Sequence, residues 1–204
     1  MTSIMSSKTI PNYLSKEIAN MPKTPAKQAE IFRDVALRLI EDGEDALAVD
    51  FWRQICANIL DEYLAYLAYG CLAGSLYFQQ NYTEACKALE QAKKLNPDDS
   101  NVYDQLGLDY ALSGKFDKAL ENIEKGLKID SSNFSLASSH YIVYALMNDY
   151  DKARDALKND LKNGKIPVNE FCKDHDDFLH SKVCEEWEKK ILVRMLEDIC
   201  STQI

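Results

Sequence analysis

The feature that most constrains this chain is a self-similarity with a period of 34 residues that needs no gap. When residues 66–99 are set over 100–133, Tyr69 falls on Tyr103, Leu72 on Leu106, Ala73 on Gly107 and Leu76 on Tyr110. Tyr82 then meets Phe116, Ala85 meets Ala119, Leu89 meets Ile123, Ala92 meets Gly126 and Leu95 meets Ile129. Within a copy, Tyr103, Leu106, Gly107 and Tyr110 follow the i, i+3, i+4, i+7 spacing of one helix face. Small residues at Ala73 or Gly107 and at Ala85 or Ala119 allow two helices to approach closely. Gln80-Asn81 and Gly114-Lys115 separate the two helices. Asn96 to Asp99 and Asp130 to Asn133 stop the second helix and supply a cap for the next. A unit of this kind cannot bury its apolar face alone, so the spacing predicts stacked helix hairpins.

These residues resemble the tetratricopeptide-repeat pattern: an aromatic, a Leu followed by a small residue, a second aromatic, another small residue and a closing proline, here Pro97. A degraded copy spans 134–165, with Tyr144, Tyr150, Ala153 and Leu157 in place and His140 where Leu is usual. Another lies upstream at 29–62, with Gly43 at the turn followed by Ala48, Trp52 and Ile55. Three extra residues, Tyr63 to Ala65, separate it from the next copy. The resemblance implies an all-α fold, an α-solenoid of antiparallel helix hairpins with three to four repeats and a C-terminal capping helix. The expected organisation is a mobile segment over 1–28 with a short helix near Tyr13 to Ile18. A diverged helix pair follows over 29–65, then repeats over 66–99 and 100–133. A diverged repeat over 134–167 and a capping region over 168–204 complete it. Asp177 to Ile199 reads as one long amphipathic helix through Val183, Trp187, Ile191, Leu192, Met195, Leu196 and Ile199, either capping the last repeat or offering a partner surface.

Composition narrows the partner. A formal charge of −9 and a pI near 4.9 argue against nucleic acid, which calls for clustered Lys and Arg. The first residues hold no continuous apolar stretch of the kind a secretory signal carries, so the expected location is cytoplasmic. Tyr63 to Phe78 carries no charge but is shorter than the roughly 20 apolar residues of a membrane span, so it is expected to be a core helix without membrane insertion. Six cysteines in a chain of this kind are expected to be reduced thiols, mostly buried.

The resemblance implies a concave face lined by the first helix of each repeat. In the 66–99 copy its candidate peptide-binding residues are Leu67, Gly70, Cys71, Gly74, Tyr77 and Phe78. In the next copy they are Asp104, Gln105, Leu108 and Leu112, and beyond it Ile142. Gly70 and Gly74 share one helix face at about 1 kcal/mol each in lost helix propensity. Either a neighbouring helix packs closely there or a peptide backbone lies on that floor, with Tyr77 and Phe78 as walls. A carboxylate clamp, the Lys-Asn-Arg set that some family members use for acidic C-termini, is missing. Its positions hold Arg33, Leu37, Cys71, Asn101 and Gln105 in one register, and Gly70, Gly74, Gln105, Ser135 and Ser139 in the other. In size, acidity, repeat number and groove character the chain is also similar to class II translocator chaperones of bacterial type III secretion.

Cys172, His175, His180 and Cys184 have metal-ligating chemistry but the wrong spacing for one continuous helix, so no metal or cofactor is expected. No nucleophile elbow, P-loop, dinucleotide fingerprint or paired-histidine metalloprotease motif is present, and Lys115, Asp117, Lys118, Glu121 and Lys125 read as a solvated helix face. The expected role is therefore non-enzymatic: an adaptor or chaperone-like module binding an apolar peptide segment of another protein. A scaffold subunit working through its terminal helix is the alternative, and a homodimer is a further possible partner arrangement.

Overall fold

A computed structural model describes residues 24–43, 45–58, 61–164, 166–181 and 184–201. Among them are ten α-helices and no strand: α1 Pro25–Glu41, α2 Asp45–Asn58, α3 Glu62–Phe78, α4 Tyr82–Leu95, α5 Ser100–Leu112, α6 Phe116–Ile129, α7 Phe134–Leu146, α8 Tyr150–Gly164, α9 Val168–Leu179 and α10 Glu186–Ile199. The chain divides into two compact units, Met1–Asp98 and Asp99–Ile204. The helix expected near Tyr13 lies outside the described residues. The segment expected to be mobile up to residue 28 is helical from Pro25, a residue that suits a first turn because its missing N–H has no partner to lose there. No described helix is long and apolar enough to cross a membrane.

One backbone device recurs. Gly43, Gln80, Gly114 and Asn148 have φ of 71°, 57°, 78° and 61°, each in the turn between the two helices of a hairpin. Successive members stand 37, 34 and 34 residues apart, so the three extra residues before Tyr66 fall between hairpins and leave each hairpin's interior intact. The left-handed region suits Gly and tolerates Asn, and it costs Gln roughly 1–2 kcal/mol. At the other end of the unit, the first helices are capped by carboxylate or amide oxygens. Asp61 Oδ1 accepts from the Leu64 N–H at 2.9 Å, Asp99 Oδ1 from Asn101 N–H at 2.9 Å, and Asn133 Oδ1 from Leu136 N–H at 3.3 Å. Each cap is worth about 1 kcal/mol.

In the first unit, Phe32, Val35, Leu39, Ala48, Phe51, Trp52 and Ile55 are buried along α1 and α2, and Trp52 is the hub. Its ring meets Phe32 edge-on at 5.6 Å and Phe51 at 4.7 Å. The next hairpin adds Leu64, Ala68, Leu72 and Leu76 from α3 and Ala85, Leu89 and Ala92 from α4.

In the second unit the small residues are steric requirements. A Cβ on Gly107 would lie 2.5 Å from Ile123 Cγ1, and one on Gly126 2.8 Å from both δ-carbons of Leu136. The α7–α8 hairpin departs from this rule. Tyr141 stands where α5 has Gly107, and it is fully buried with its hydroxyl donating to Asp198 Oδ2 of α10 at 2.9 Å. His140 stands where α5 has Leu106, and Asp160 where α6 has Gly126; His140 Nδ1 and Asp160 Oδ2 lie 2.6 Å apart, with the imidazole stacked on Tyr144. A polar pair thus replaces an apolar contact inside this hairpin.

The predicted continuous helix from Asp177 to Ile199 is not formed. Instead α9 ends at Leu179, and α10 starts afresh behind a capping box, in which the Glu185 N–H donates to Glu188 Oε2 at 2.7 Å and the Glu185 side chain accepts from the Glu188 N–H. The Trp187 indole N–H adds a bond to Glu185 Oε2 at 3.0 Å. The capping element is therefore a hairpin in the repeat's own register: Phe171 stands 68 residues after Tyr103, and Ile191 68 after Ile123. It buries Phe171, Ile191, Leu192, Met195 and Ile199 in one cluster with Ala137, Tyr141, Leu157 and Leu161. The expectation of six reduced thiols is also corrected. The return of α10 brings Cys200 beside Cys172 of α9, and the two form a disulfide with Cα atoms 5.8 Å apart, while Cys56, Cys71, Cys86 and Cys184 are thiols.

Candidate peptide-binding faces

In the first unit, Leu67, Gly70, Cys71, Gly74, Tyr77 and Phe78 all stand on α3 at helical spacings of three and four, so the helix presents them together. Its opposite side, Leu64, Ala68, Leu72 and Leu76, is buried in the unit's core. The candidate side is half-buried up to Tyr77, and Phe78 is 37% exposed. A Cβ added to Gly70 or Gly74 meets no described atom within 4 Å. Close helix packing therefore does not account for these glycines, in contrast to Gly107 and Gly126. Tyr77 stands edge-on to Phe78 at 5.8 Å and to Tyr82 at 5.6 Å, which holds the aromatic wall at the end of the floor. Burial pushes the Cys71 thiol up to about 11 and the Cys56 thiol to about 12, with Cys71 adding to the latter. Neither is an activated nucleophile at neutral pH.

In the second unit, Asp104, Gln105, Leu108 and Leu112 lie on α5, with Gln105 exposed and the other three half-buried. Asp104 accepts a hydrogen bond from the Ser139 hydroxyl of α7 at 2.5 Å; burial raises its carboxyl to about 6 against the lowering effect of that bond. Ile142 is not on an open face. It is buried in the cluster that α9 and α10 share with α7 and α8, and Leu108 and Leu146 pack against that cluster.

The contact that closes the α7 face was not foreseen. Ser138 Oγ and His175 Nε2 are 2.6 Å apart, and His175 Nδ1 is 2.8 Å from the Phe171 carbonyl. A carbonyl only accepts, so Nδ1 carries the proton, and the single Ser138 hydroxyl proton is shared between Nε2 of the neutral ring and the Phe134 carbonyl, 2.8 Å from Oγ. The imidazole stacks on Phe171 at 4.1 Å and meets Phe134 edge-on at 6.1 Å. Burial holds it below its ordinary 6.5, opposed by the Phe171 bond and by Asp174. A Ser and a His at adjoining repeat registers were the available signal, and only the docked position of α9 reveals their meeting. Asp109 is a second residue the sequence did not single out. It is 3% exposed, and burial pushes its carboxyl to about 8.

The four candidate metal ligands do not converge. Cys172 is bonded to Cys200, and both His175 nitrogens are engaged. His180 Nδ1 faces its own helix at Asp176 O, and the Cys184 thiol points to Glu185 O.

Residues 64–132 match the tetratricopeptide-repeat family model. That stretch covers α3 to α6 and with them the two gapless copies. These are tetratricopeptide repeats. Solved structures of the same fold include a crystal structure of MamA, 23% identical, covering 75% of this chain and 85% of that one with a TM-score of 0.58. MamA 41-end from Desulfovibrio magneticus RS-1 is 15% identical over 76% and 92% of the two chains, with a TM-score of 0.55. The tetratricopeptide protein TTC0263 of Thermus thermophilus is 18% identical over 81% and 87%, with a TM-score of 0.54. No curated protein matches the chain. At these identities the structures share the fold with this chain, a tetratricopeptide fold of stacked hairpins.

Proposed function

We propose that this tetratricopeptide protein binds an extended, uncharged apolar segment of another protein on the open side of α3. The α5 residues Asp104, Gln105, Leu108 and Leu112 provide the candidate face of the second unit. The observation that carries this reading is the pair Gly70 and Gly74. They cost about 1 kcal/mol each in helix propensity, no described neighbour needs their smallness, and no charged side chain interrupts the helix from Tyr63 to Phe78. A bare helix floor lets a peptide main chain approach closely, and the rigid rings of Tyr77 and Phe78 supply contact area with little entropy to lose. The role is adaptor-like or chaperone-like and non-catalytic. The scaffold alternative has less to work with, because Ile191, Leu192, Met195 and Ile199 of the terminal helix are buried in this chain.

The test is binding of fluorescein-labelled twelve-residue apolar peptides, selected from a displayed library on the full chain. Gly74→Arg is expected to weaken binding at least about tenfold, roughly 1.4 kcal/mol, with an unchanged helical circular-dichroism spectrum. Leu108→Glu tests the α5 face in the same way. Peptide affinity that survives Gly74→Arg removes α3 as the site.

A further inference from the structure

We propose that the terminal hairpin is a thiol-operated latch: the Cys172–Cys200 disulfide holds α9 and α10 closed against α7 and α8, and its reduction lets them open. Cys172 stands in the first half of α9 and Cys200 directly after α10, so one bond ties the ends of two helices remote from where α9 ends at Leu179 and α10 begins at Glu186. Both cysteines are half-buried at the edge of the apolar cluster they pack against, whereas Cys184 of the same hairpin is buried. Among the contacts that remain without the bond are the apolar anchors Phe171, Ile191, Leu192, Met195 and Ile199 and the polar contacts of Ser138 with His175, Tyr141 with Asp198, and Arg194 lying 3.7 Å over the Tyr150 ring. A cross-link of 28 residues restricts the open ensemble of this hairpin far more than it changes the closed one. The bond thus sets how often the hairpin opens, and opening uncovers Tyr141, Ile142 and Leu157. The inference stands on the hairpin alone and is independent of peptide binding at α3.

The exchange is balanced with glutathione as the co-reactant. Its thiolate attacks one sulfur of the disulfide, giving a mixed disulfide and one cysteine thiolate. A second glutathione thiolate then releases glutathione disulfide, and two protons from the glutathione thiols leave Cys172 and Cys200 as thiols. In the reverse direction glutathione disulfide is the oxidant and takes the two electrons.

The full chain is equilibrated in a graded series of glutathione and glutathione disulfide, alkylated and weighed intact, with peptide mapping of the modified cysteines. Cys172 and Cys200 are expected to lose their reactivity together at the oxidising end, while Cys56, Cys71, Cys86 and Cys184 stay as thiols throughout. Hydrogen exchange of α9 and α10 is expected to quicken on the order of a hundredfold on reduction, with α3 and α4 unchanged. Cys172→Ser and, separately, Cys200→Ser are expected to match the reduced protein and to stop responding to glutathione. The latch is overturned if Cys172 and Cys200 remain thiols across the series, if either pairs with Cys184, or if the bond forms and the exchange of α9 and α10 does not change.

Discussion

Helices α3 and α7 are the first helices of two repeats, and neither carries Asp, Glu, Lys or Arg along its apolar length. Gly70, Gly74 and Tyr77 of α3 share register with Ser138, Ile142 and Ala145 of α7, each 68 residues later. Their surroundings are opposite. The α3 residues are half-buried with no described atom within 4 Å of a Cβ on either glycine, whereas Ser138, Ile142 and Ala145 are buried, Ser138 in hydrogen-bond contact with His175 of the following hairpin. Register determines which way a side chain points. Whether it meets solvent, a partner or its own chain depends on what the next hairpin brings. On α7 that next hairpin brings His175 and the aromatic anchor Phe171.

If the α7 face is closed by real packing, removing its anchor must be expensive. Phe171→Ala is expected to destabilise the second unit by about 3–5 kcal/mol, read as a shift in urea midpoint. Hydrogen exchange should rise in α9, α10 and the buried face of α7, with α3 unaffected. A loss under about 1 kcal/mol would mean that α9 only rests on α7, and the contrast with α3 would collapse.

The same contact is expected to respond to acid. Because burial depresses the His175 value in the folded protein, the folded state keeps the ring neutral where the unfolded chain takes up a proton. Its contribution to stability is thus fully present above about 6.5 and is lost as the pH falls below that, at no more than about 1.4 kcal/mol per pH unit. Urea midpoints from pH 7.5 to 5 should fall less steeply in His175→Gln than in the parent.

The smallest effects test the other side of the comparison. Gly70→Ala and Gly74→Ala are each expected to stabilise the first unit by about 1 kcal/mol in thermal unfolding, since a methyl group has room and alanine favours the helix. Gly107→Ala, at a position where the methyl group overlaps Ile123, should have the opposite sign.

The hairpins of α3 to α6 were legible because the small positions in the alignment are buried alanines or, at Gly107 and Gly126, points of close approach. The α3 face was legible by the same register. The terminal hairpin was not. Its repeat-like apolar marks are few, Phe171, Phe178 and Ile191, and the small slots hold His175 and Trp187. The signal that divides the helix is a pair of glutamates, Glu185 and Glu188, in a stretch already rich in acidic residues, where a capping box looks like an ordinary solvated face. The disulfide was hidden for a related reason: on one continuous helix Cys172 and Cys200 can never meet, and the antiparallel return is what makes them neighbours.

The four left-handed turn residues carry one more consequence. Around Gly43 and Gly114 a side chain would find no described atom within 4 Å, so crowding is not what favours glycine there. What the turn discriminates against is handedness. A mirror-image residue such as D-alanine, introduced at Gly114 by chemical ligation, adopts that φ naturally, whereas L-alanine, whose methyl group would meet no described atom within 4 Å, is strained by the φ itself. In these hairpins chirality, rather than volume, is the property by which the reversal point selects its residue.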